Sequence, residues 1–133
     1  MLDHLGILAK NIAGAKAFYD AALAPLGAKV VLEFEPPGST GARYIGYGTE
    51  AGKPKFWIQT SVGTPADKSG PIHLAFHAKT HGQVDAFYKA ALAAGGRDNG
   101  QPGPRPHYHK SYYGAFVLDL DGNNIEAVCH KPQ

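Results

Sequence analysis

His4, His73 and Glu126 are the residues whose types and spacing carry chemistry first. Two imidazoles and one carboxylate, with further positions left open, form the facial set that Fe(II) favours and that Mn(II), Zn(II), Co(II) and Ni(II) accept. A divalent ion held this way is a Lewis acid. Each residue also has an ordinary reading: a strand histidine is often only hydrogen-bonded, and a glutamate can be a solvated edge charge. What ties them together is a repeat. At an offset of 69 positions His4 falls on His73, and HLGILAKNIAGAKAFYDAALAPLG (4–27) lies over HLAFHAKTHGQVDAFYKAALAAGG (73–96) with 12 of 24 positions identical. That marks an internal duplication. The same offset, without a gap, carries Tyr44 onto Tyr113 and KFWIQ (55–59) onto NIEAV (124–128).

The elements that must position these groups follow from the hydrophobic pattern. LDHLGILA and PIHLAFHA are short apolar runs ended by polar residues, as strands are. Ala15, Phe18, Tyr19, Ala22 and Leu23 then recur at helical spacing, as do Val84, Phe87, Tyr88, Ala91 and Leu92. Gly27 and Gly95-Gly96 end the two helices. Three further strands complete each unit, at about 28–34, 42–48 and 55–61, then 97–100, 113–119 and 124–130, with a turn at Asp121-Gly122. The fold class is α+β: two paired βαβββ modules forming a cupped mixed sheet with the helices outside. One domain is expected over 1–133, with module 1 at about 1–62, a Gly/Pro-containing linker at 63–71 and module 2 at about 72–133. Alternation puts Leu74, Phe76, Ile125, Ala127 and Cys129 on the helix side, and His4, His73 and Glu126 on the opposite side.

Composition narrows the function classes. The chain has 133 residues, 44% hydrophobic and 18% charged, enough to bury a core. Thirteen basic and eleven acidic side chains give a net charge of +2, without a Lys/Arg stripe for nucleic acid. One cysteine excludes an intramolecular disulfide and a cysteine zinc cluster, and fits a reducing, cytoplasmic setting. No apolar stretch approaches a membrane span, and Met1-Leu-Asp-His does not read as a signal peptide. Gly38-Ser-Thr-Gly41 reads as a turn and not a phosphate loop.

DHLGI (3–7), AFYDAALAPLG (17–27), HLAF (73–76) and DLDGNNIE (119–126) together resemble the vicinal-oxygen-chelate superfamily. It includes glyoxalase I, extradiol dioxygenases, bleomycin-resistance proteins and fosfomycin-resistance thiol transferases. The resemblance covers essentially the whole chain. It implies a cupped sheet around one divalent metal, with ligands at His4, His73 and Glu126, and a cup built either within one chain or by modules exchanged across a homodimer. The fourth ligand position of glyoxalase I falls on Trp57, whose indole has only an N–H donor. Gln59, two residues on, is the neighbouring polar group on that face. A genuine lactoylglutathione lyase is therefore not expected. Lys131 is the sole Lys or Arg after Glu126, which weakens a phosphonate substrate.

The resemblance makes a glyoxalase-like, lyase or isomerase-type metalloenzyme the first reading. An extradiol-type dioxygenase and a metal-free ligand-binding protein of the bleomycin-resistance type are the alternatives. Gln101–Ser111 reads as a stiff loop that either rims the cup or is plain surface. In the rim reading His109 is an acid/base, Tyr113 donates to a metal-bound oxygen, and His107 lines the substrate pocket with Trp57 and Gln59.

Overall fold

The structure is a computed structural model that describes residues 1–39, 41–62 and 66–132. Residues 63–65, the first part of the expected linker, and Thr40, in the expected 38–41 turn, lie outside the described residues.

Each half of the chain repeats one arrangement. Strand β1 (Leu5–Leu8) leads into helix α1 (Ile12–Leu23), a 3-10 turn (Ala24–Leu26), and strands β2 (Lys29–Phe34), β3 (Tyr44–Gly48) and β4 (Phe56–Gln59). Strand β5 (His73–His77) leads into helix α2 (His81–Ala93) and strands β6 (Arg97–Pro104), β7 (Tyr113–Leu118) and β8 (Asn124–Cys129). The orders are β1-β4-β3-β2 and β5-β8-β7-β6. In each sheet the first strand runs parallel to the last and the other pairings are antiparallel. The chain is thus α+β with two repeated βαβββ modules.

The helices form where the sequence supplies both a cap and a face. Asn11 and Thr80 accept hydrogen bonds from the Gly14 and Gln83 amides, satisfying N–H groups that the first turn leaves without partners. Gly27 and Gly95 end them at φ 82° and 101°. Ala15, Phe18, Tyr19, Ala22 and Leu23 of α1 and Val84, Phe87 and Ala91 of α2 are buried, with Tyr88 and Leu92 packed at the margin. The two helices touch each other and share one core with both sheets. Phe56 meets Phe76 at 5.2 Å across the module boundary.

A buried polar staple joins the modules. Asp119 accepts hydrogen bonds from Tyr19 Oη (2.5 Å), Asn123 Nδ2 (2.9 Å), and the Asn123 and Asp121 amides. Asn123 Oδ1 in turn accepts from the Ile72 amide ahead of β5. The DLDGNN segment therefore fixes the β7–β8 turn to α1 and to the start of module 2. At the other end of that connection the Leu8 amide donates to Ser69 Oγ.

Two expectations are corrected. Strand β6 runs on to Pro104, so Gln101–Pro104 is strand and the loop begins at Arg105. It is an edge strand with register shifts at Asp98/Gly100 and Gly100/Gly103, the setting in which a strand tolerates Pro102 and Pro104. The gapless repeat offset also fails at one strand. Gly46 pairs with Trp57 and Phe116 with Glu126, so β3 maps onto β7 at an offset of 70 while β4 maps onto β8 at 69. Tyr44 corresponds to Gly114 and not to Tyr113. A one-residue slip turns a strand side chain to the other face.

Candidate functional site

Glu126 lies in the middle of β8 with only 1% of its surface exposed, between Ile125 and Ala127, which face the core. A carboxylate there is costly unless its oxygens find partners. His73 Nε2 stands 2.9 Å from Oε1, reaching over from the parallel neighbour β5. Tyr112 Oη donates to Oε2. Burial, and then the Glu126 hydrogen bond, push the Tyr112 hydroxyl well above the usual phenol range. Gly114 makes room for this contact: a Cβ there would stand 3.2 Å from Glu126 Oε2 and 3.1 Å from Tyr112 Cε1. His73 itself remains half exposed, its side chain 54% accessible. A histidine and a carboxylate of the expected ligand set are thus together on the face that no helix covers.

His4 stands elsewhere. It precedes β1, keeps 59% of its side chain exposed, and places Nδ1 2.7 Å from Asp3 Oδ1. That hydrogen bond, helped by the Lys55 charge, holds the Asp3 carboxyl below the usual carboxylate range. Among the described residues no three His, Cys, Asp or Glu side chains converge as a metal site. One chain therefore offers two of the three expected donors together, with His4 on the first module's cleft.

That cleft, about 790 Å³, opens on the uncovered face of the first sheet. Trp57 and Gln59 both line it, as expected, along with Phe34, Tyr44, Lys53 and Lys55. Two glycines let the cleft's floor lie flat. A Cβ at Gly46 would come within 3.0 Å of the Trp57 ring, and one at Gly6 within 2.8 Å of Gln59 Oε1. Trp57 also occupies the position that Glu126 holds in the second sheet, since Gly6–Trp57 and Ala75–Glu126 are equivalent register pairs.

The remaining expected residues separate. Tyr113 points to the helix side: its hydroxyl donates to Asp85 Oδ1 at 2.7 Å and its ring stacks on His81 at 3.9 Å. The tyrosine at Glu126 is its neighbour Tyr112, which alternation within YYGAF places on the face of Gly114 and Phe116. His107 is exposed and packs on Tyr108 at 4.3 Å. His109 is exposed, with Nδ1 accepting from the Ser111 amide and its ring 5.6 Å from His130. His130 meets Tyr112 at 5.2 Å, so ring contacts run from the rim to the residue that touches Glu126. Arg105, on Phe116 at 5.4 Å and bonded to the Gly103 and Gln101 carbonyls, pins this rim to the sheet. Tyr112, Phe34, Lys53 and Lys55 are the site residues that the sequence pattern did not single out.

The profile of the Glyoxalase/Bleomycin resistance protein/Dioxygenase superfamily matches residues 1–127. The chain belongs to that superfamily. A glyoxalase/bleomycin resistance protein from Albidiferax ferrireducens T118 is similar at 27% identity and TM-score 0.75, covering 97% of this chain and 98% of that one. A glyoxalase/bleomycin resistance protein/dioxygenase family enzyme from Burkholderia phytofirmans PsJN is similar at 22% identity and TM-score 0.65, covering 98% of each. Glyoxalase I from Zea mays shares the fold at 18% identity and TM-score 0.70, over 99% of this chain and 45% of the maize chain. Comparison with curated protein sequences gave no match. No described helix is long and apolar enough to cross a membrane.

Proposed function

We propose that this superfamily member is a divalent-metal-dependent, glyoxalase-like enzyme acting on a small oxygen-chelating substrate, and that it works as a homodimer. The observation that carries this reading is the buried Glu126 carboxylate facing His73 on an uncovered sheet face. His73 and Glu126 of one chain, with His4 of a second copy, are the donors for Fe, Mn, Zn, Ni or Co. Neutral imidazole and carboxylate suit these ions, and the accessible His73 leaves the ion a way in. The bound ion supplies Lewis acidity toward the substrate's adjacent oxygens.

The chain's own residues do the rest. Tyr112 keeps its proton at neutral pH and orients Glu126 through Oε2. Glu126 and His109 are the proton-transfer candidates, the first at the site and the second on the exposed rim. Trp57, Gln59 and, at the rim, His107 are the substrate contacts. With an indole at the position equivalent to Glu126, a carboxylate-assisted proton transfer from that side is absent. Activity toward the methylglyoxal–glutathione adduct is accordingly expected to be weak or nil.

A second reading has its own support. Both Glu126 oxygens already have partners, as they would in a metal-free binding protein with the same cup. Equilibrium dialysis of the wild-type protein against Mn(II), Fe(II), Co(II), Ni(II) and Zn(II) separates the two. The enzyme reading predicts retention of at least one ion, abolished in His73→Ala and Glu126→Gln. Retention of none leaves the binding-protein reading.

A further inference from the structure

We infer that the cleft of the first module takes a planar aromatic acid. The inference deepens the proposed function, resting on Trp57 and Gln59 being substrate contacts, but it is argued from parts of the cleft that need no metal.

The ring specificity comes from three aromatic side chains. Trp57 forms the floor, lying on Gly46 so closely that a Cβ there would stand 3.0 Å from its ring and 2.7 Å from Pro54 Cβ. Phe34 stands against Trp57 at 5.8 Å and 77°, a wall nearly perpendicular to the floor, and against Tyr44 at 5.3 Å. Phe34, at the end of β2, leaves 43% of its surface exposed in the single chain, so its ring is open toward the cleft. A floor and an upright wall match the stacked and edge-on contacts that a flat ring makes best. A puckered aliphatic ring of the same size presents no such faces.

The charge specificity comes from the rim. Three aromatics alone would equally suit a cation, because ring faces attract positive charge. Here Lys53 and Lys55 border the same cleft. Lys53 is paired with Glu50 at 3.0 Å, and Lys55 shares the cleft with Asp3, whose carboxyl is already engaged by His4. A ligand carboxylate would meet two ammonium groups beside the Asp3 carboxylate, whose charge Lys55 partly offsets, while a ligand cation would meet the ammonium groups as like charges. The amide of Gln59, spread over Gly6, adds a neutral donor and acceptor on the floor.

Trp57 is the chain's only tryptophan, so its fluorescence reports this cleft alone. The protein is titrated, with and without chelator, with benzoate, cyclohexanecarboxylate and phenyltrimethylammonium. Benzoate should change the emission saturably in both conditions. Cyclohexanecarboxylate should bind about three- to tenfold more weakly, which is what a stacked ring contributes. Phenyltrimethylammonium should bind more weakly still. The double variant Lys53→Gln/Lys55→Gln, checked for an unchanged circular dichroism spectrum, should lose affinity for benzoate and not for the cation. Equal binding of the two acids overturns the stacking, tighter binding of the cation overturns the charge, and no saturable benzoate response overturns the inference as a whole. Since benzoate binding is read with chelator present, its failure is distinct from a failure to retain metal.

Discussion

Glu126 is a carboxylate set where an aliphatic side chain would be cheaper, and its two oxygens show what keeps it there. His73 serves one and Tyr112 the other. Losing a donor to a buried charged acceptor costs about 1–3 kcal/mol. Tyr112→Phe is therefore expected to lower unfolding free energy by roughly that amount in urea denaturation. Tyr113→Phe removes only an exposed bond to Asp85 and should cost well under about 1 kcal/mol. The reverse order would mean that Tyr112 does not support Glu126. The face of His73 and Glu126 was legible from the alternation in HLAFH and NIEAV, because each strand has an unbroken apolar partner face. The choice between the adjacent tyrosines was not. It turns on one extra residue ahead of β7, compensated before β8, and no identity between the repeats beyond residue 96 fixes that register.

At the scale of elements, the helices were the most readable parts, since period and terminal glycine agree for both. Strand β6 runs further than its sequence signals, because Pro102 and Pro104 mark a loop and only a place at a sheet edge with broken register permits them in a strand. DLDGNN was legible as a turn and as a mark of kinship. Its structural work was not legible, because Tyr19, the residue that Asp119 holds, is 100 positions away in sequence. The staple makes a sharp prediction. Asp119→Ala strips four donors of their acceptor in a buried place and should cost about 3 kcal/mol or more. Asp121→Ala, in the same turn, loses one exposed contact with the Lys10 amide and should cost less than about 1 kcal/mol. Comparable losses by urea denaturation would show that the buried network does not hold the modules together.

At the scale of the whole molecule, the duplication explains why the proposed donors are divided between the two modules. Each module contributes its own four-stranded sheet with one face under a helix. His4 lines the cleft of the first, and His73 with Glu126 belongs to the second. A second copy related by a two-fold axis would bring each module opposite its unlike counterpart, so that two equivalent sites form per dimer. His4→Ala and His73→Ala each destroy every such site when pure. Mixed by unfolding and refolding together, they give one intact site in each hybrid dimer, because both lesions fall in the other. Metal equivalents bound per chain, measured by equilibrium dialysis on the pure variants and on the refolded mixture, test this account most directly. The account predicts none for either variant alone and about a quarter of the wild-type value for the mixture, half the dimers being hybrids with one site of two restored. A mixture that binds no more metal than its parents would contradict it.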